Sequence, residues 1–383
     1  MTIMAQRTIK AGTLTLSLHQ NGDRLDELLA FGSRLNPRRG YLFISRVLGK
    51  HMPVRPSKMD AIHEELASGI TLLGASAYVV GMAETAVGLG AGVARHLSGR
   101  YEYSVFHHTT RFQVSDPWLH IREDHSHADT MHMAHLTTSA QDAIKDIQDL
   151  VLVDDEISTG KTLAQLASKL ISQSALYRVK RLHIVSLVSW LTEAAREELL
   201  QQLPKNIDVR FVQLMAGHFH FAPRAGYQPQ LPVSVDTDFC NILLRPRDTT
   251  LPIESEGLYG KIMTSSKEPP LQGDVLSTHE HQEATVVFGM GEYLDAPFRL
   301  ALYLERQGHD VMFQSSTRSP IAISDAVKSR IEHEAPGSTG KRHFLYNAPE
   351  NYLALAFNGI GCPALASQLE ENHLRNCALE VTE

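Results

Sequence analysis

VLVDDEISTGKTLAQL, Val151 to Leu166, is the stretch whose reading decides the fold. Val151-Leu152-Val153 is a short apolar run that ends at Asp154, the pattern of a buried strand arriving at a ligand crevice. Asp155 and Glu156 extend its acidic edge. Ser158-Thr159-Gly160-Lys161-Thr162 is a turn rich in hydroxyls and open backbone N–H groups, and Leu163, Leu166, Ala167 and Leu170 follow at helical spacing. A strand, a phosphate-sized turn and a helix N-terminus in that order make an anion site in an open α/β sheet. The carboxylates beside it would repel a bare phosphate. They suit a ligand that carries sugar hydroxyls, or a bound cation, close to its phosphate.

A chain of 383 residues exceeds one ordinary core, so more than one domain is expected. The expected division is an N-terminal edge segment 1–30, an α/β domain 31–225 and a smaller C-terminal α/β domain 226–383. The last boundary falls at Gly226–Pro232, where three of seven residues are glycine or proline. The formal charge of −7 argues against a general nucleic-acid binder. Cys240, Cys362 and Cys377 are widely spaced and form no CxxC pair, which suggests a reducing compartment and no structural zinc. No signal peptide is evident, and Ile70–Met82 is too short and too interrupted to span a bilayer. The expectation is a cytoplasmic protein.

Working outward, Leu14, Leu16 and Leu18 alternate with polar residues in Gly12–His19, an edge or hairpin strand, and Asp23–Phe31 suits a short helix. Phe31–Lys58 carries Arg34, Arg38, Arg39, Arg46, Lys50, Arg55 and Lys58 and no acidic residue. It is either a solvated basic face or a flap against a polyanionic ligand. Asn36-Pro37-Arg38 and Gly49-Lys50-His51 read as turns that present cations, and only Tyr41 and Phe43 offer the stacking that RNA would need. A helix over Met59–Ser68 precedes the strand Ala77–Val80. Gly81-Met82-Ala83-Glu84-Thr85 then forms a second candidate anion loop, and Gly88, Gly90 and Gly92 in the next helix imply close backbone approach. A strand over Tyr101–Phe106 leads to Thr110-Arg111 and a polar segment with His120, His125, His127, His132 and His135. That segment reads as a mobile lid or surface loop, because it lacks the helical HExxH spacing and neighbouring cysteines of a transition-metal site. Strands over Leu182–Val188 and Val209–Met215 flank a helix at Glu193–Leu203. The second strand runs into His218 and His220, which alternate with Phe219 and Phe221 in what reads as packed aromatic strand.

Gly160-Lys161-Thr162 has the tail of a Walker A loop, but Asp155 stands where that loop requires glycine. The whole stretch instead resembles the ribose-phosphate signature of type I phosphoribosyltransferases: apolar strand, two acids, two variable residues, Ser/Thr-Thr-Gly, one variable residue, Thr. Residues 151–162 match it throughout. The resemblance implies that Asp154 and Asp155 lie against the ribose hydroxyls and that Ser158, Thr159, Gly160, Lys161 and Thr162 wrap the 5-phosphate. It further implies that Gly81, Met82, Ala83, Glu84 and Thr85 hold pyrophosphate, and that a hood with a basic residue in or near it follows the next strand, where Arg111 and the histidine-rich segment stand. Mg²⁺ would be held mainly by the substrate, near Asp154 and Asp155. Over residues 20–225, and more loosely beyond, the chain is similar to two-domain phosphoribosyltransferases associated with bacterial tellurite/stress-resistance gene clusters. There Arg34, Asn36, Arg38, Lys50 and His51 would contact pyrophosphate or the acceptor.

The C-terminal part repeats the first. Gly289-Met290-x-Glu292 follows a strand as Gly81-Met82-x-Glu84 does, and Thr317-Arg318 follows the next strand as Thr110-Arg111 does. Nothing downstream reproduces the Asp-Asp and Ser-Thr-Gly elements, so a partial duplication would lack the sugar-binding half. Glu292, Arg318 and Asn347 are its candidate site residues. The function implied is a Mg²⁺-dependent, glycosyltransferase-class transfer of 5-phosphoribosyl between phosphoribosyl pyrophosphate and a small acceptor, in either direction. The partners are small molecules, with no membrane and no nucleic acid, and a homodimer is left open. The alternative is a regulator that senses phosphoribosyl pyrophosphate or a nucleotide without turnover.

Overall fold

In the computed structural model, which describes residues 2–35, 39–112, 114, 116–122, 130–227, 256–260, 284–334, 342–357 and 375–378, Leu150 to Val153 are wholly buried. A strand apolar on both faces belongs in the interior of a parallel sheet covered on both sides. Their strand, β9 (Asp149–Ile157), accordingly sits inside an eight-stranded sheet. It runs parallel to β10 (Arg181–Ser189) on one side and β5 (Ser76–Gly81) on the other. β11 (Asp208–Pro223) and β6 (Tyr103–His108) extend the parallel set. The antiparallel hairpin β1 (Ile3–Ile9) and β2 (Gly12–Gln20) closes one edge on β11, and β12 (Glu256–Gly260) closes the other on β6. This is the mostly parallel α/β sheet expected.

β9 is longer than the apolar run. Ser186 of β10 pairs with Asp154 and Val188 with Glu156, so the acidic residues are still in the ladder. Asp149 at the other end of the strand is wholly buried. It accepts the Leu73 and Gly74 N–H groups at 2.9–3.0 Å, which makes it structural. Leu14, Leu16 and Leu18 point inward as their alternation requires, although β1 rather than β2 is the edge. The helix expected over Asp23–Phe31 is confined to α1 (Leu25–Leu28). Leu29–Ser33 is buried throughout and forms β3, paired antiparallel with β4 (Tyr41–Ser45). A run with no polar face cannot be an amphipathic surface helix, and here it is a strand.

Helices α2 (Pro56–Ser68), which opens on proline, and α3 (Ala86–Arg100) follow. A Cβ placed on Gly90 would lie 2.8 Å from Gly81 Cα, the close approach of α3 to β5 that the glycines implied. The described part of the histidine-bearing segment, read as a lid or surface loop, contains two short strands. β7 (Leu119–Arg122) and β8 (Thr130–Met133) form an antiparallel ribbon anchored by Ile121, Met131 and Met133, all fully buried. Thr110 and His132 exchange backbone hydrogen bonds at 2.7 and 2.9 Å. α4 (Thr138–Ile144) leads back to β9. His125 and His127 lie outside the described residues, as do Asn36, Arg38, Cys240, Cys362 and most of the boundary at Gly226–Pro232. The helix after β9 is α5 (Lys161–Ile171), and α6 (Glu193–Gln201) follows β10. No described helix is long and apolar enough to cross a membrane.

The second sheet has the order β14-β13-β17-β18, all parallel, from β13 (Thr285–Gly289), β14 (Val311–Ser315), β17 (Leu353–Phe357) and β18 (Arg375–Ala378). That is the order β6-β5-β9-β10 of the first sheet. α7 (Asp295–Arg306) stands where α3 does, and the antiparallel β15 (Arg330–Glu334) and β16 (Arg342–Tyr346) where β7 and β8 do. The likeness reaches individual hydrogen bonds. Thr109 N–H donates to Gly81 O at 3.0 Å and Ser316 N–H to Gly289 O at 3.1 Å. Ala83 N–H donates to Thr109 Oγ1 and Gly291 N–H to Ser316 Oγ, both at 2.8 Å. Phe112 N–H caps on Thr110 Oγ1 at 3.0 Å and Ser319 N–H on Thr317 Oγ1 at 3.1 Å. Identical hydrogen bonds at matched positions are more than two α/β units share by being α/β. The repeated pattern in the sequence is a repeated structure.

Candidate functional site

Asp154 and Asp155 stand half-buried at the carboxyl end of β9, and the Asp155 N–H donates to Asp154 Oδ1 at 3.0 Å. Burial pushes the Asp155 carboxyl up, against the pull of its hydrogen bonds and of nearby Arg39 and Lys50. The chain then turns through Ser158 and Thr159, both exposed, to Gly160 at φ +69°, and α5 begins at Lys161. A Cβ on Gly160 would lie 2.4 Å from Leu199 Cδ1, so both conformation and space demand glycine. The first N–H groups of this eleven-residue helix, together with the Ser158, Thr159 and Thr162 hydroxyls, form a cradle for a phosphate-sized anion.

The Gly81–Thr85 loop lies directly beside it. Met82 N–H donates to Val153 O at 2.8 Å, and the Ala83–Glu84 peptide is cis. Glu84 Oε1 lies 2.8 Å from Lys50 Nζ. It also accepts the Arg318 backbone N–H at 3.3 Å, and Arg318 Nε reaches the other carboxylate oxygen at 3.5 Å. Burial alone would raise Glu84, but Lys50 and Arg318 overcome it and hold the carboxyl well below its ordinary range.

The basic segment folds onto this crevice. Arg39 Nη2 sits 2.9 Å from Glu156 Oε1, with its guanidinium carbon 4.8 Å from the Tyr41 ring centroid. Burial raises the Glu156 carboxyl and Arg39 opposes it. Arg34 Nη2 donates to Ser319 Oγ at 3.4 Å. Burial, and then the neighbouring cations Arg39 and Arg111, disfavour the Arg34 positive charge, a deficit that an incoming anion would relieve. Lys50, expected to be presented on a turn, is only 1% exposed and donates to Gly291 O at 3.3 Å as well as pairing with Glu84. His51 is buried too, pushed down to about 3 by burial and by Lys50, and so neutral.

The C-terminal candidates divide. Arg318 reaches the first loop. Glu292 is 1% exposed and accepts Thr110 Oγ1–H at 2.5 Å and the Arg111 N–H at 2.9 Å. Asn347 adopts φ +53° and donates to His51 O and Ala326 O at 3.0 and 3.1 Å while accepting Lys328 N–H at 2.7 Å. Its amide is fully used as a strut between the basic segment and the second sheet.

Sequence reasoning passed over Arg39, Tyr41 and Glu156 as site residues, and the aromatic wall behind them. Tyr41 packs on Phe43, Phe219 and Phe221, and Phe43 stacks on Trp190 at 4.8 Å. Trp190 Nε1 and Arg39 Nε are buried, with no hydrogen-bond partner among the described residues. The alternation of Phe219 and Phe221 was the available signal. What it packs against depends on the β3–β4 hairpin, which sequence reading took in part as helix.

Among the described residues no group of three or more His, Cys, Asp and Glu side chains is placed to hold a metal ion. Two adjacent carboxylates supply oxygen ligands of the kind Mg²⁺ takes, but too few for an all-protein site. They fit a cation that gains its remaining ligands from a phosphorylated substrate and water.

Residues 28–218 match the model of a family described as phosphoribosyl transferase. Residues 263–371 match the TRSP domain described as C-terminal to that transferase, and the match contains the sequence Thr317-Arg318-Ser319-Pro320. No curated protein matches the chain. Among solved structures, an adenine phosphoribosyl transferase from Trypanosoma brucei in complex with AMP, pyrophosphate and ribose-5-phosphate is similar at 14% identity and TM-score 0.35, over 50% of this chain and 78% of that one. An adenine phosphoribosyltransferase from Saccharomyces cerevisiae is similar at 15% identity and TM-score 0.31, over 49% of this chain and 96% of that one.

Proposed function

Residues 28–218 belong to the phosphoribosyl transferase family, and from that premise we propose that the protein transfers 5-phosphoribosyl from phosphoribosyl pyrophosphate to a small acceptor, or catalyses the reverse. The observation that carries this reading is the adjacency of two loops at one sheet edge. The Asp154-Asp155 strand end with its Ser158–Thr162 turn lies one backbone hydrogen bond, Met82 N–H to Val153 O at 2.8 Å, from the Gly81–Thr85 loop. A ribose carrying phosphate on one end and pyrophosphate on the other needs two anion sites separated by a place for hydroxyls.

In this reading Ser158, Thr159, Gly160, Lys161 and Thr162 bind the 5-phosphate through N–H and hydroxyl donors. Asp154 and Asp155 accept hydrogen bonds from the ribose hydroxyls, and so fix the ring with C1 toward the pyrophosphate loop. As the bond from C1 to pyrophosphate lengthens, positive charge builds on the ring, and the two carboxylates stabilise it in a site that excludes water. Mg²⁺, when bound, supplies charge neutralisation for the departing pyrophosphate. Arg34 and Arg111 provide cationic cover over the same place. The acceptor enters beside Arg39 and Tyr41, which offer a guanidinium and an aromatic ring to a flat molecule. The working division is an edge segment 1–30, a transferase domain 31–225 and a smaller domain 226–383, with β1 and β2 (Ile3–Gln20) and β12 (Glu256–Gly260) in the sheet of the transferase domain.

Calorimetric titration with phosphoribosyl pyrophosphate, with and without Mg²⁺, tests the donor. Binding is expected in both conditions and tighter with Mg²⁺, and no binding in either would end the proposal. Acceptors are then found by mass spectrometry on metabolite pools, with pyrophosphate release as the readout.

A further inference from the structure

The two copies of the strand–loop–helix–strand unit meet head to head. Glu84 of the first copy lies on the Thr317-Arg318 turn of the second. Glu292, its counterpart, lies on the Thr110-Arg111 turn of the first. The contacts are reciprocal, as across a two-fold axis, so the chain folds as a dimer of its own halves. One consequence is that Thr317–Pro320 stands over the crevice of the first copy. Leu35 N–H donates to Pro320 O at 3.4 Å, Arg34 forms a backbone bridge with Ile321, and Ser319 Oγ accepts from Arg34 at 3.4 Å.

We infer that this turn is a wall of the donor site and that the Arg318 guanidinium binds the pyrophosphate end of the donor. The inference rests on the transferase reading and names a residue outside the transferase match.

Three observations carry it. First, Glu84 lies in the loop assigned to pyrophosphate, and a polyanion can approach a carboxylate only if cations stay between them. Second, the two cations on Glu84 are held differently. Lys50 is 1% exposed, sits 2.8 Å from Glu84 and also donates to Gly291 O, so it is fixed. Arg318 is 22% exposed and divides itself between Glu84 at 3.5 Å and Glu292 at 3.9 Å, committed to neither. A guanidinium with long contacts to two carboxylates loses little by turning its other N–H groups to a phosphate, and arginine's planar fork suits that ligand better than an ammonium does. Third, the matched turn of the first copy offers the same equipment. Thr110 and Arg111 there bind a carboxylate through a hydroxyl and a backbone N–H, so the Thr-Arg turn is an anion-binding device in both copies. In the second it keeps its side chain beside the first loop.

The test is calorimetric titration of the full chain with Mg²⁺-pyrophosphate and, separately, with ribose 5-phosphate, which addresses the Ser158–Thr162 turn and the Asp154-Asp155 pair but not the Gly81–Thr85 loop. Arg318→Ala is expected to weaken pyrophosphate binding about 10- to 100-fold, the range for loss of a charge-assisted contact, and to leave ribose 5-phosphate binding within about 2-fold. Arg318→Lys should recover part of the loss. Asp295→Asn serves as the structural control. It cuts the ion pairs to Arg95 at 2.6 Å and Arg299 at 3.0 Å where the halves meet away from the crevice. It should lower the melting temperature without changing pyrophosphate affinity. Wild-type pyrophosphate affinity in Arg318→Ala, or equal loss of both ligands in Arg318→Ala and Asp295→Asn, would overturn the inference and leave the transferase reading standing. A wild-type protein that binds neither ligand would overturn both.

Discussion

Replacing Lys50 with methionine asks whether the basic segment, the Gly81–Thr85 loop and the second sheet are held by one buried ion pair. The wild-type ammonium is 1% exposed, 2.8 Å from Glu84 and 3.3 Å from Gly291 O. Methionine keeps most of the volume and removes the charge. Glu84, 14% exposed, is then left with Arg318 alone, at 3.3–3.5 Å. Breaking a buried pair from one side costs about 3–5 kcal/mol, because the remaining charge is uncompensated. The retained arginine places this case near the lower figure. For a chain of 383 residues at roughly 2 cal/mol/K per residue, that cost lowers the melting temperature by about 4–6 °C. Scanning calorimetry measures it, and Lys50→Met/Glu84→Gln should recover most of the loss, since both charges are then gone.

The pH dependence gives an independent check. In the wild type the Glu84 carboxyl is held well below its ordinary value of 4.5. Its stabilisation is therefore complete above that pH and is lost only as pH falls toward the depressed folded-state value. Without Lys50, burial raises the carboxyl instead. The variant's deficit is then largest at neutral pH and shrinks as pH falls toward 4.5, because the folded state takes up a proton that the unfolded state does not yet bind. A Lys50→Met protein as stable as wild type at pH 7, or a deficit that grows on acidification to pH 5, would refute the buried pair as described.

Gly160→Ala forces alanine into a left-handed conformation at φ +69° and sets its methyl 2.4 Å from Leu199 Cδ1. It should cost about 1–2 kcal/mol by thermal unfolding and weaken ribose 5-phosphate binding about 10-fold or more by calorimetry. Asp154→Asn/Asp155→Asn should lower turnover by about 100-fold or more while phosphoribosyl pyrophosphate affinity falls much less, because the carboxylates act most strongly on charge that develops during reaction. Unchanged pyrophosphate release in that variant would remove their assigned role. His51, His63 and His107 are each held neutral by burial and pushed down to about 3. Because the unfolded chain takes up protons that the folded chain refuses, stability should fall as pH drops below 6.5, by about 1 kcal/mol per histidine between pH 6.5 and 5.5. His63→Leu should flatten that slope by one proton's worth in urea titrations run across this range.

The site was legible where its chemistry is consecutive in the chain. Asp154, Asp155 and the Ser158–Thr162 turn are adjacent because a strand end and a helix start are adjacent, so linear order carries the geometry. The Gly81–Thr85 loop was legible for the same reason, and so was the repeat at Gly289–Glu292. What the sequence hid are pairings between distant segments. Arg39 with Glu156 and Lys50 with Glu84 depend on the β3–β4 hairpin lying over the sheet edge. Leu29–Phe31 reads in the sequence as the tail of a helix because burial on every side is not a periodic signal. The strands β7 and β8 were obscured by the histidines around them. Polar residues suggested a lid or surface loop, while Ile121, Met131 and Met133 anchor them from the other face. Asn347 looked like a strand-end ligand. Its left-handed backbone and three hydrogen bonds make it a strut, a role fixed by residues as far away as His51.

Three carboxylates near the crevice are engaged by cations or hydrogen-bond donors. Glu156 carries Arg39, Glu84 carries Lys50 and Arg318, and Glu292 is engaged by the Thr110 hydroxyl and the Arg111 N–H. On the proposed reading, an arriving polyanion meets these carboxylates already engaged, together with Arg34, whose charge is disfavoured by burial and by its cationic neighbours. The acidic pair at the carboxyl end of β9 is Asp154-Asp155. It lies between the two anion loops, where the ligand itself would be cationic in its transition state. On the proposed reading, an acidic pair between the two loops favours the charge distribution of the breaking bond over that of the bound donor. That difference, rather than tight binding as such, is what accelerates a reaction.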